Sequence, residues 1–376
     1  MRKLLKVLIV ALIIVAAGGA ALFYWLPVPG CQQLVYTATE ELAIAPNGQF
    51  AYLSDSVARR LLVFSLADNR LAANLPLPAS AREIAVSRDG AKIYLLSFDP
   101  AGQILVIDAA SRKLERTIEI AGNPAGLALS ADGSRLYTVQ AGLHRLAALD
   151  TVDGQVVASV PFDDGDAGIA ATPDGKSLVV GHARGVTVFD TLNLRISANY
   201  GTKEAAGKFA LGPDGRALAY AIGGGETGVR LLDLASGATE TRATLGKPGE
   251  LAFTKDGANV IASNVMMPGE RHGSLSLMPA HIPQEVKGAI VPSIPADRSV
   301  SMALDKFPHA IAVDAKRNLV DIVAVPLHGM PAVEVIDGAT YKVLGQMPLP
   351  DAKTWIDKFI VWRMKVLRPE DAARCP

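Results

Sequence analysis

The chain has 376 residues, half of them apolar, and its 37 basic and 37 acidic side chains leave no net charge. That balance excludes nucleic-acid binding as the main task, because phosphate recognition needs an excess of clustered Lys and Arg. The apolar fraction is enough for a large core, and length by itself would suggest two or three domains.

The N-terminus opens with a short basic tip, residues 1–6, carrying Arg2, Lys3 and Lys6. An uncharged apolar run follows from Val7 to Leu26, about the length that crosses a bilayer. Basic residues ahead of such a run predict a cytoplasmic N-terminus, with the rest of the chain in a bacterial periplasm. Two readings compete for residues 7–26. The small residues Ala17, Gly18, Gly19, Ala20 and Ala21 would offer a cleavage site, as in a signal peptide. The run continues through Phe23, Tyr24 and Trp25, however, beyond a usual signal core and with aromatics where an interfacial belt would sit. The favoured reading is an uncleaved single-pass anchor of the inner membrane, followed by a linker over residues 27–34.

From residue 35 the chain repeats. An alanine recurs at Ala43, Ala85, Ala128, Ala170, Ala210, Ala252 and Ala312, usually five residues before a glycine that follows Asn or Asp. The first five intervals are 42, 43, 42, 40 and 42 residues, and the sixth is stretched to 60. A period near forty is the length of a propeller blade, and seven copies imply a closed ring. Each copy reads as a short apolar strand, a turn, a second strand and a hairpin. Asn47-Gly48, Asp89-Gly90, Asp132-Gly133, Asp174-Gly175, Asp214-Gly215 and Asp256-Gly257 supply the turns, glycine providing the positive φ. The seventh copy has Lys316-Arg317-Asn318 there, an irregular turn. Third strands end on an apolar residue plus Asp, as in Ile107-Asp108, Leu149-Asp150, Phe189-Asp190, Leu232-Asp233 and Ile336-Asp337. Blades are wedges converging on an axis, so a column of small residues marks the innermost strand. The predicted fold is all-β: a seven-bladed β-propeller over residues 35–350, counted as one domain, with an N-terminal transmembrane helix and a C-terminal amphipathic helix.

After Pro350 the repeat stops, leaving residues 351–376. Lys353 to Arg368 reads as a helix ended by Pro369. At 100° per residue, Trp355, Ile356, Phe359, Ile360, Trp362, Val366 and Leu367 share one side, with Arg363 alone amid the stripe. Packing on the propeller's flank, binding a membrane surface and docking a partner subunit are the three uses such a stripe would have. Trp355, Phe359, Trp362 and Arg363 are the candidate docking residues.

Cys31 and Cys375 are the two cysteines. Ring closure brings the first and last blades together, which makes a Cys31–Cys375 disulfide geometrically reasonable in an oxidising compartment, worth on the order of 5 kcal/mol through a very long loop. Lipid modification of Cys31 and two free thiols remain as alternatives.

The units resemble the YVTN-type family of seven-bladed β-propellers, whose tetrapeptide survives approximately as Leu136-Tyr137-Thr138-Val139 and more loosely as Ile93-Tyr94-Leu95-Leu96 and Ala51-Tyr52-Leu53-Ser54. The resemblance covers roughly residues 35 to 350. It implies relatives as varied as surface-layer proteins, amine dehydrogenase heavy chains, propellers of nitrous oxide reductase and cytochrome d1 proteins, and lactonases. No Gly-His and Trp-Asp pairing recurs, so the WD-repeat family fits poorly.

Used as a ruler, the alanine column selects polar residues at the expected channel mouth. Three and two residues before each alanine the family often has glycine, whereas here Glu41, Arg82, Glu83, Lys208, Glu250 and His309 depart from it. They would form either a solvated rim of mixed charge or a small polar ligand-binding funnel. His144, His182, His272 and His328 each follow a second strand, and the stretched interval adds Met266, Met267, His272, Met278, His281 and Met302. Imidazole with thioether suits copper, and His272, His309, His328 and Met330 are the candidate metal ligands, although methionine also fills irregular core gaps. Gly-x-Ser-x-Gly, His-Glu-x-x-His, Walker and Cys-x-x-Cys-His signatures are missing.

The leading expectation is a membrane-anchored periplasmic propeller serving as a protein-binding or scaffold subunit of an envelope complex, more readily a binding module than an enzyme. Its partner would be a protein of the periplasm or inner membrane, and no cofactor is expected. One alternative is an accessory of periplasmic redox or metal metabolism involving copper or haem. The other is a lactonase-like hydrolase using the channel-mouth carboxylates.

Overall fold

In a computed structural model of the chain, the described residues are 39–349 apart from 57, 100, 164–167, 202–204, 207–208, 223–227, 245, 265–272, 281–299, 305 and 327–331. Residues 38–325 and 331–349 form one compact unit. The second unit comprises residues 1–37, 326–330 and 350–376, of which Pro326 alone is described. The anchor, both cysteines and the C-terminal helix predicted from sequence therefore lie outside the described residues. Within them, no helix is long and apolar enough to cross a membrane.

The described residues fold into seven four-stranded sheets. Blade one is β1 (Thr39–Ile44), β2 (Phe50–Asp55), β3 (Arg60–Ser65) and β4 (Arg70–Pro76), and blade two is β5 (Ser80–Val86), β6 (Lys92–Asp99), β7 (Ala101–Asp108) and β8 (Lys113–Glu119). Blade three is β9 (Pro124–Leu129), β10 (Arg135–Gln140), β11 (Arg145–Asp150) and β12 (Val156–Pro161). Blade four is β13 (Gly168–Ala171), β14 (Ser177–His182), β15 (Gly185–Asp190) and β16 (Ile196–Gly201). Blade five is β17 (Phe209–Leu211), β18 (Ala217–Ile222), β19 (Gly228–Asp233) and β20 (Thr239–Ala243). Blade six is β21 (Pro248–Phe253), β22 (Asn259–Asn264), β23 (Gly273–Pro279) and β24 (Val300–Leu304). Blade seven is β25 (Lys306–Asp314), β26 (Leu319–Pro326), β27 (Ala332–Asp337) and β28 (Val343–Pro348).

Strand order follows the sequence in every sheet, and first strands meet the first strands of neighbouring blades at six of the junctions, with β25 against β1 closing the ring. Outer strands are largely exposed, as the pattern of β12 and β16 shows. The chain is thus a seven-bladed β-propeller, as the repeats predicted. The long sixth interval sits inside blade six: most of its extra residues lie between β23 and its outer strand β24, which still pair.

In the first three blades the alanine column has a more specific cause than crowding at the axis. Ala43, Ala85 and Ala128 stand directly opposite Tyr52, Tyr94 and Tyr137 on the second strand. Each pair points toward the next blade, whereas the flanking Leu42 or Ile84 points to the previous one. A small residue facing a ring lets the two fill one layer at normal packing density. Blades four to six carry Val179, Ala219 and Ile261 opposite their alanines.

Every regular Asx-Gly turn is closed by its acid or amide side chain, as when Asp132 Oδ1 accepts from the Ser134 amide at 3.1 Å. Gly48, Gly90, Gly133, Gly175, Gly215 and Gly257 all take positive φ, and Asn318 does so in the irregular seventh turn. Asp108, Asp150, Asp190, Asp233 and Asp337 cap the turns to the outer strands in the same way. The Ser111 amide and hydroxyl hold Asp108 down to about 2, the Ser130 hydroxyl and the Ser134 amide hold Asp132 there too, and the hydroxyls of Ser87, Thr172, Thr254 and Thr340, followed by the turn amides, lower Asp89, Asp174, Asp256 and Asp337.

Blades are joined by side chains reaching the next blade's backbone. Arg116 donates to the Thr151 and Val152 carbonyls, Arg135 to Thr191 at 3.3 Å, Tyr200 to Leu234 at 2.5 Å and Arg242 to Pro279 at 3.3 Å. At the closing seam Arg317 donates to Leu66 at 2.7 Å. Within blades, Gly185 has φ +144°, and a methyl there would collide with the Tyr200 carbonyl. Gly185→Ala is expected to cost more than about 1 kcal/mol, read as a lower urea midpoint.

Candidate functional site

The channel-mouth residues predicted from the alanine column fall on an irregular stretch of the inner strands. Pairing slips between Thr39 and Leu42, between Ala81 and Glu83, opposite Tyr137 and Val139, and between Pro248 and Leu251. An extra residue in one strand leaves backbone groups without ladder partners, which must be satisfied elsewhere. Second-strand hydroxyls do this. Ser54 Oγ accepts from the Glu41 amide at 3.2 Å, Ser263 Oγ accepts from the Glu250 amide at 2.8 Å, and Thr138 Oγ1 donates to the Ala125 carbonyl at 3.2 Å. All three hydroxyl residues are buried. Sequence reading passed over them; the available signal was a lone Ser or Thr inside an otherwise apolar second strand.

The carboxylates at the irregular stretch have a defined task. Glu41 Oε2 accepts from the Ile84 amide of blade two at 2.5 Å. Glu83 Oε1 accepts from the Gly126 amide of blade three at 3.2 Å. One residue type at one repeat position thus ties the inner strand of its blade to the inner strand of the next. Glutamate suits this because its side chain spans the gap and its charge strengthens a bond to an otherwise unpaired amide. Both carboxylates are half-buried, and Glu250 occupies the equivalent place in blade six. Glu83→Ala is expected to cost about 1–2 kcal/mol by orphaning the Gly126 amide, measured as a shift in urea midpoint at constant slope.

The remaining predicted residues are not drawn into one constellation. Arg82 is exposed and stacks its guanidinium 4.6 Å from the centre of the Phe98 ring in its own blade. His309 lies on β25. Lys208, His272, His328 and Met330 are outside the described residues, as are Trp355, Phe359, Trp362 and Arg363. Among the described residues, no group of three His, Cys, Asp or Glu side chains is arranged to hold a metal.

The two described post-strand histidines diverge in role. His182 is buried, its Nε2 3.1 Å from Thr187 Oγ1 and its ring edge-on to Phe162 at 5.4 Å. His144 is exposed, with Nδ1 2.8 Å from Asp163 Oδ1. Met278, in the stretched interval, is a buried core residue of the blade five–blade six interface.

A cleft of about 460 Å³ lies between the turns of blades two and three, lined by Ser87, Arg88, Asp89, Lys92, Tyr94 and Asp132 among others. Both of its aspartates and its lysine are internally committed. Asp89 is held by Ser87 and the Ala91 amide, Asp132 by Ser130 and Ser134, and Lys92 by Asp108 and Glu115. No residue singled out from the sequence as a ligand or metal contact lines it.

No family model and no curated protein matches this chain.

Proposed function

We propose that this chain is a membrane-anchored extracytoplasmic β-propeller of the YVTN type that serves as a protein-binding or scaffold subunit of an envelope complex. The observation that carries the reading is the use made of the channel-mouth acids: Glu41 and Glu83, the best candidates for chemistry, are bonded to backbone amides of the adjacent blades. A carboxylate committed to a neighbour's amide rigidifies a ring and is poorly placed to serve as a general base. His182 is likewise engaged inside the fold. The result is a stiff platform whose outer strands and loops are available to a partner.

Two sequence features support where the platform acts. The basic tip and the uncharged run Val7–Leu26 suit an inner-membrane tether with the propeller on the periplasmic side. The apolar stripe carrying Trp355, Phe359 and Trp362, interrupted by Arg363, has the aromatic and arginine content of a protein-docking surface. A chain ending at Pro350 is expected to keep the wild-type melting transition and to lose its partner in detergent pull-downs from envelope membranes. Unchanged co-purification would refute the docking role of the tail.

A further inference from the structure

The Tyr column of the second strands has one chemically alien member. Asp321 lies nine residues after Ala312, the spacing that separates Tyr52, Tyr94 and Tyr137 from their alanines. Its side chain is wholly buried, and Val335 is its cross-strand neighbour. Val335 belongs to the apolar cluster joining blade seven to blade one, and Val320 on the other face of β26 belongs to the blade six–blade seven cluster. Asp321 is therefore at the surface where the ring closes.

Closure depends on this surface. Each blade is built from its own contiguous segment, so blade seven shares no strand with blade one. Among the described residues, the apolar cluster and the Arg317 bond to the Leu66 carbonyl hold the two together. Arg317 is also bound by the buried Asp314 through its Nε, and its Nη2 is 3.6 Å from Asp321 Oδ2, too long for a hydrogen bond. Neither carboxylate oxygen of Asp321 accepts a hydrogen bond among the described residues.

One guanidinium thus faces two buried carboxyls. Asp314 is fully used, taking the Lys316 and Arg317 amides as well as the Arg317 side chain. The charged groups acting on Asp321 are Arg317, which favours its ionisation, and Asp314, which opposes it. Blade one presents apolar side chains to the seam: Leu42 and Ile44 from β1, Leu53 from β2, and Phe64 from β3. Its Asp68–Arg70 pair is exposed. β27 presents Val333 and Val335. A buried carboxylate with no donor is strongly disfavoured, whereas its neutral acid is tolerated. Burial accordingly raises Asp321 to about 7.

We propose that the blade seven–blade one seam is a proton-controlled latch, closed when Asp321 is neutral and loosened when Asp321 ionises. Hydrogen exchange of the wild-type protein at pH 5.5 and pH 8, corrected for the intrinsic pH dependence of exchange, reads it directly. Protection in blades seven and one is expected to fall by about tenfold or more at the higher pH, with blades three and four changing by less than about twofold. Asp321→Asn should abolish the difference. The wild-type Asp321 carboxyl, followed by isotope-edited infrared spectroscopy, should lose its protonated band near pH 7, a readout that needs no variant. A carboxyl already ionised at pH 5.5, or a loss of protection spread evenly around the ring, would overturn the latch.

Discussion

Phe64→Ala is expected to destabilise the protein by about 3–5 kcal/mol, with the loss concentrated at the ring's closing seam. Phe64 is completely buried on β3 and belongs to the cluster that blade one shares with Val333, Val335 and Met347 of blade seven. Truncating it removes a large apolar surface and leaves a cavity that both blades must shrink to fill, and collapse there is opposed by the other five blades. An equal truncation inside one of the other interfaces leaves closure intact, because each of those neighbours is also connected through the chain. At the seam the same deletion weakens the junction that no strand or linker spans among the described residues. The check is a urea titration paired with hydrogen exchange. Exchange in β25–β28 and β1–β3 should rise well above that of the remaining blades, and a uniform rise would mean the seam is no weaker than the rest.

The second large effect has the unusual sign of a stabilising substitution. Asp321→Asn should raise stability at pH 8 by about 1–3 kcal/mol and lower it by about 1–2 kcal/mol at pH 4. An unfolded aspartate titrates near 3.9, whereas burial lifts Asp321 to about 7 in the fold. Between those values the native chain holds a proton that the unfolded chain has released, so stability declines as pH rises, by up to about 1.4 kcal/mol per unit, and levels off above about 7. The full difference would be about 4 kcal/mol, from which the buried amide's own unmet hydrogen bonds subtract about 1–3. The acids of the turns run the opposite way. Asp108 and Asp132 are depressed to about 2, so the stability they contribute is present above about 4 and is lost only as pH falls toward 2. Melting temperatures from pH 4 to pH 8 should therefore slope downward in the wild type and lie flatter in the variant.

The architecture was legible because it is written seven times. A repeated Asx-Gly and a repeated strand-ending Asp each have a local cause, a positive φ or a capped turn, and in three blades the repeated Ala has one too, a paired ring; local causes survive in sequence. The seam was legible only as a topological necessity. Asp321 could be found by counting nine residues from Ala312, yet nothing in its neighbours announces that its partner surface belongs to residues some 250 positions away, as Arg317 and Leu66 do. The repeated acid at Glu41 and Glu83 was legible in the sequence, but the amides they bond in the next blade were not. An acid at the mouth of a ring looks the same in sequence whether it faces a ligand or an amide of the next blade, because that amide is exposed by an irregular pairing with no composition signal. His144 and His182 make the same point: both stand near the end of a second strand, His182 as the last residue of β14 and packed against Phe162, His144 in the loop beyond β10 and exposed.

Glu41 and Glu83 tie the ring together, and amide exchange tests this most directly. In the wild type the Ile84 and Gly126 amides should be protected. Glu41→Ala should accelerate exchange of Ile84 alone, and Glu83→Ala that of Gly126 alone, each by about tenfold, in keeping with a net bond of roughly 1.4 kcal/mol. Unchanged exchange at both amides, with the two variants as stable as the wild type, would contradict the assignment and return Glu41 and Glu83 to the pool of ligand-binding candidates.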